Sequence, residues 1–340
     1  MKKLYPVVIL LVCMWSVYPV EVLAAEVNVY SARKEALIKP LFDIFTKETG
    51  IRVNLITSEA DALIKRMEVE GDNTPADLLL TVDVARLDRA KQKHVLQPIQ
   101  SEILNANIPE IYRDSDGYWY GLSLRSRIII YARDRVDVAQ LKSYEDLADP
   151  KWKGRLCVRS SSNVYNQSLV ASLIVHHGVE ETEEWARGLV KNFARPPKGG
   201  DRDQISAVAA GQCDIALVNT YYYGGMLHSP LEEERQAAEK VGLFWPNQDD
   251  RGAHINVSGA GVTAASSHKE AAIKLLEFLV SDEAQQWYAD SNFEYPVKPG
   301  IAINETLKSW GEFVSDEVNL DQLGRLNAQA VLLMDRAGWK

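Results

Sequence analysis

The chain has 340 residues, a formal net charge of −9 at pH 7 and 46% hydrophobic residues. That length exceeds one typical core and favours two domains. The acidic balance suits nucleic-acid phosphates poorly, since they require a basic surface, so no nucleic-acid partner is expected.

The N-terminus reads Met1-Lys2-Lys3, then runs mostly apolar from Leu4 to about Val20 and reaches Val22-Leu23-Ala24-Ala25. A basic start, an apolar run and small residues near a cleavage point describe a secretory signal peptide over residues 1–24, cut after Ala24. Ser16, Tyr18 and Pro19 interrupt the run, which argues against a membrane anchor. Cleavage removes Lys2, Lys3 and Glu21 and leaves an exported chain one charge more negative. It also removes Cys13, so only Cys157 and Cys213 remain. An even pair in an oxidising compartment predicts a disulfide.

From residue 27 the mature chain alternates strands and helices. Strands are expected at 27–30, 51–56 and 78–82, with helices at 34–49, at 60–70 and from the end of the third strand to about Lys93. This order argues a parallel sheet with crossover helices. A long strand, 122–131, carries Arg125 and Arg127, and its length suggests a crossing between domains. Strand 156–159 leads into a Ser/Asn run and a helix from about Gln167 to His176, which places Tyr165 at a helix N-terminus. A second, Glu-rich helix is expected at 180–192. A helix over 201–210 precedes the buried strand 213–218. Beyond it lie an exposed helix at 232–240, strand 241–245 and a second interdomain strand at 256–263. Helices near 269–280 and 283–288, a loop opened by Tyr295-Pro296, and helical stretches near 304–313 and 321–336 close the chain.

The six histidines fall in no ligand spacing, and no HExxH, CxxC, G-x-S-x-G, Walker or G-x-G-x-x-G pattern occurs. An enzyme reading therefore has no motif, and the protein is not expected to be an enzyme. The tyrosines are more informative. Tyr221, Tyr222 and Tyr223 follow the strand 213–218, at the end that faces the ligand crevice in open α/β sheets. Tyr165 lies eight residues beyond Cys157, as Tyr221 does beyond Cys213. If the two cysteines are bridged, parallel neighbouring strands deliver these phenols to one end of the sheet. Phenolate is a hard, anionic donor suited to iron(III), and a bound cation favours its ionised form.

Residues 161–169, Ser-Ser-Asn-Val-Tyr-Asn-Gln-Ser-Leu, and 219–224, Asn-Thr-Tyr-Tyr-Tyr-Gly, resemble the periplasmic iron(III)-binding proteins of ABC transporters, the ferric-binding or bacterial-transferrin family. Residues 30–34, 121–127 and 258–262 are similar to it as well, and the likeness covers essentially the whole mature chain. The resemblance implies an α/β, two-domain periplasmic binding protein fold with hinge strands and a central cleft. The division expected is 25–124 with 249–299, and 125–248 with 300–340. It implies Tyr165, Tyr221 and Tyr222 as iron(III) ligands, Tyr223 in support, and a monomer serving an inner-membrane ABC permease. Many members add a His, Glu or Tyr shortly after the first strand. Here that place reads Arg33-Lys34-Glu35-Ala36-Leu37, with Glu35 as its one candidate ligand. A synergistic anion such as carbonate is therefore expected to complete the sphere, held by Arg125 or Arg127. The competing expectation is a small organic or oxyanion solute bound by Arg125, Arg127, Ser161 and the tyrosine hydroxyls.

Overall fold

The computed structural model describes residues 25–340, so the expected signal peptide lies outside the described residues. The chain opens with β1 (Glu26–Ser31), α1 (Lys39–Thr49), β2 (Arg52–Thr57), α2 (Ala60–Glu70), β3 (Leu78–Val82) and α3 (Val84–Gln92). β1 pairs in parallel with β2 and β3, as strand–helix–strand order requires. Their inner faces are apolar: Val27, Val29, Leu78 and Leu80 are fully buried with Leu41 and Phe45 of α1. Gly50, left-handed at φ 72°, ends α1 where the sequence placed its stop.

A short helix, α4 (Glu102–Asn107), was not expected from the sequence; Ser101 caps it through its side chain. Then comes β4 (Tyr120–Ala132), buried over nearly its whole length. Residues 120–126 pair antiparallel with β8 (Ile255–Val262), and residues 127–131 pair with β6 (Ile215–Asn219). One strand thus belongs to two groups, and the change falls between Ser126 and Arg127. The sheet order is β2-β1-β3-β8-β4-β6-β5, where β5 is Leu156–Cys157. β7 (Val241–Phe244) and β9 (Tyr295–Pro296) also lie against β4. The fold is the two-lobed α/β architecture that the resemblance implied. Tyr295-Pro296, expected to open a loop, instead forms β9. Pro fits there because the strand is two residues long and pairs with β4 alone.

In the second lobe, α5 (Val164–Lys191) is two helical stretches joined across a kink at Gly178, as the sequence predicts, and the φ of 77° there is one that only glycine adopts readily. α6 (Asp201–Ala209), α7 (Thr220–Leu227) and α8 (Glu232–Glu239) follow in order. α9 (Lys269–Leu279), α10 (Asp282–Asn292) and α11 (Glu305–Ser309) lead to the C-terminal α12 (Leu320–Ala337). α12 packs on α5 and also reaches α3 of the first lobe: Asn327 accepts from Arg89 and donates to Gln167. At Gly324 the two helices approach so closely that a Cβ would stand 2.8 Å from the Asp88 carboxyl carbon. Cys157 and Cys213 form the expected disulfide, which fastens the end of β5 to the approach of β6, its parallel neighbour. No helix among the described residues is long and apolar enough to cross a membrane.

Candidate functional site

The tyrosines do not extend a strand. β6 stops at Asn219, and Tyr221, Tyr222 and Tyr223 occupy the first turn of α7. Past the C-terminal end of β6 the chain turns directly into a helix. Successive helical side chains rotate by about 100°, so the three phenols part company. Tyr221 and Tyr222 stay together, ring centroids 4.3 Å apart. Tyr223 turns into the core, stacks on Trp310 at 5.7 Å and donates to the Val241 carbonyl.

Tyr165 arrives from the other chain segment. α5 begins at Val164, three residues earlier than the sequence suggested, so Tyr165 sits in its first turn. The Ser-rich loop before it is folded by side-chain amides. Asn166 donates to the carbonyls of Arg159 and Ser160, and Gln167 to that of Ser161. These bonds satisfy loop carbonyls that the strand leaves behind, and they fix where the helix starts. The result brings the Tyr221 hydroxyl 3.1 Å from that of Tyr165. A loop-to-helix junction after Cys157 and a strand-to-helix junction after Cys213 thereby place three phenols in one spot.

The surroundings of Tyr221 and Tyr222 oppose their ionisation without a cation. Burial raises Tyr221 well above the usual phenol range, and the charges of Tyr165 and Tyr222 add to it. Tyr222 is raised by burial and then by Tyr165. A multivalent cation reverses this balance by favouring every phenolate at once. Among the described residues no group of three His, Cys, Asp or Glu is arranged to hold a metal, so the phenols are the hard donors gathered here.

Arg125 and Arg127, two apart on β4, are both buried but differently engaged. Arg127 donates to Asp201 at 2.7 Å, to Asn166 at 2.7 Å and to Asn219 at 3.2 Å. Arg125 makes one long bond to Ser258 and stands 3.7 Å from Asp83, and its Nε and Nη2 have no hydrogen-bond partner. Its guanidinium carbon lies 5.7 Å from the Tyr165 ring centre. Arg159, absent from the sequence reading, stands 5.5 Å from the same ring and pairs with Asp201 at 3.0 Å. Its place just beyond the Cys157 strand was the available signal. A narrow recess beside Tyr165 is lined by Asp83, Arg125, Arg127, Asn219, His254 and Asn256. Burial and the nearby Arg127 and Arg125 hold His254 down at about 3, so it is neutral.

On the first-lobe side Glu35 is exposed, in a 3-10 turn over Glu35–Leu37. Arg33 is the buried group of that segment, paired with Glu294 at 2.6 Å. Ser123 and Ser258 also donate to Glu294. The lobes touch where Ala85 of α3 meets Val164 and Tyr165.

Comparison with known proteins gives a consistent picture. The profile of the bacterial extracellular solute-binding protein family matches residues 73–313. The iron uptake protein A1 of Synechocystis sp. is 52% identical over 315 residues, covering 93% of this chain and 88% of that protein. A solved Trichodesmium structure in complex with iron and citrate ligands superposes with a TM-score of 0.90 at 50% identity, over 93% of this chain and all of the other. The ferric binding protein of Campylobacter jejuni gives 0.89 at 38% identity, over 92% of this chain and all of its own.

Proposed function

The chain belongs to the bacterial extracellular solute-binding protein family, and from that premise we propose that it captures iron(III) in the periplasm and delivers it to an ABC permease. It acts by binding and release and is not an enzyme. The observation that carries the reading is the convergence of Tyr165, Tyr221 and Tyr222, with two hydroxyls 3.1 Å apart, where no His or carboxylate cluster is at hand among the described residues. Three phenolates balance a trivalent charge and fill three of the roughly six positions that octahedral oxygen coordination offers. The names of the relatives support iron as cargo.

The remaining positions call for an anion. Glu35 faces solvent, and Arg33 already pairs with Glu294. A bidentate carbonate supplies two oxygens, and its charge needs a cation. Arg125 fits that role better than Arg127, because its Nε and Nη2 are unpartnered whereas two Arg127 nitrogens are committed to Asp201, Asn166 and Asn219.

The test is an iron(III) titration of mature protein, free of citrate, with and without bicarbonate, read by visible absorption. A phenolate-to-iron band at one metal per chain is expected, weakened without bicarbonate and lost progressively in Tyr165→Phe, Tyr221→Phe and Tyr222→Phe. A colourless, metal-free sample would sink the iron reading. Equal affinity with and without bicarbonate would show that the protein supplies its own remaining ligands.

A further inference from the structure

Asp83 closes β3 and precedes α3 with φ 79° and ψ 128°, a conformation that strains any residue other than glycine. Its side chain is 1% exposed. One carboxylate oxygen accepts from the Ala85 amide at 3.1 Å, which caps α3, and from the Ser168 hydroxyl at 2.6 Å. The other accepts from the Asn256 side chain at 3.0 Å and lies 3.7 Å from Arg125 Nη2. Ser168 belongs to α5 in the second lobe, three residues after Tyr165 and hence on the same side of that helix. A single buried carboxylate of the first lobe therefore reaches both the helix that presents Tyr165 and the guanidinium that faces its ring.

Helix capping does not account for this choice of residue. Glycine caps nearly as well as aspartate and adopts a positive φ without strain. What glycine lacks is the bond across the lobes and the negative charge before Arg125. We propose that Asp83 is a positioning residue, a latch that holds the lobes together over the tyrosines and aligns Tyr165 with Arg125. The latch rests on the iron reading for its role in retaining cargo, but the closure it produces is measurable without metal.

The deciding variants are Asp83→Gly and Ser168→Ala, the second of which leaves the Asp83 backbone and cap untouched. Asp83→Gly relieves the backbone strain but leaves the buried Arg125 without its counter-charge, so the melting temperature of metal-free protein should fall. Iron should leave this variant for excess chelator at least about tenfold faster, as expected on losing a hydrogen bond to a charged group. Ser168→Ala should speed release similarly, and the double variant should add little beyond either, the mark of one shared interaction. X-ray scattering of the metal-free variants should show a larger radius of gyration than the parent. If Ser168→Ala leaves both release and radius unchanged, the latch is wrong, whatever Asp83→Gly does to folding. If the parent itself takes up no iron, the tyrosine reading fails, and the scattering comparison alone then decides the latch, an unchanged radius overturning it.

Discussion

Arg125 and Arg127 share a face of one strand, yet their partners give them different roles. Arg127 and Asp201 are an ion pair at 2.7 Å with side chains 1% and 0% exposed. Removing one member strands a buried charge, which costs about 3 kcal/mol or more. Arg159 still pairs with Asp201 and keeps the loss at the low end. Arg127→Gln should therefore lower stability by about 3 kcal/mol in urea unfolding. Arg125→Gln should cost far less stability but weaken iron binding and its response to bicarbonate. The reverse pattern, with Arg127→Gln folding normally and Arg125→Gln unfolding, would exchange the two assignments. From sequence the residues looked equivalent, because strand spacing reports a shared face and says nothing of what lies opposite.

At the level of elements, the second half of the site depends on β5, which has only two residues. So short a strand gains little from its ladder with β6, and the Cys157–Cys213 bond supplies the tie. The sequence separation of 56 corresponds to about 4 kcal/mol on the chain-entropy account of cross-links. Replacing both cysteines by serine should lower unfolding stability by roughly that amount. Parent protein exported to the periplasm should show no alkylatable thiol by mass spectrometry; two free thiols would remove the argument. The pairing of the cysteines and the strand–helix alternation were legible beforehand. The register of the tyrosines was not. Whether a Tyr-Tyr-Tyr-Gly run continues a strand or turns into α7 depends on where the sheet ends, and local preference carries no record of that edge.

Over the whole molecule, β4, α5 and α12 each make contacts in both lobes. The contact of α12 with α3 buries Asp88 close to Gly324, and burial together with the charge of Asp321 pushes its carboxyl up to about 6. Lys91 and Arg325 act against that rise, and Asp114 adds to it. The unfolded carboxyl titrates near the ordinary value of about 3.9. Between these values the folded state binds more protons than the unfolded state, so stability falls as pH rises from about 4 to about 6 and stays lower above it. Asp88→Asn should remove this slope and stabilise the protein at pH 7 by about 1–3 kcal/mol, since one unit of pKa shift equals about 1.4 kcal/mol. Melting temperatures at pH 4.5 and 7.5 check this. A variant that melts with the parent's pH dependence would mean that Asp88 does not control it.

The sequence by itself determined the alternation of strands and helices, the long strand shared between lobes, the cysteine pair and the three tyrosines to watch. Each is written in local pattern: period, punctuation by Gly and Pro, and residue type. Tertiary structure alone decided which tyrosine turns into the core, which arginine is committed to an ion pair, and that Glu35 faces solvent. It also brought Asp83 and Ser168, 85 residues apart, within 2.6 Å of each other. These are relations between residues distant in the chain, fixed by where the sheet ends and how two lobes meet. Only packing brings such partners together, so no local pattern can carry them.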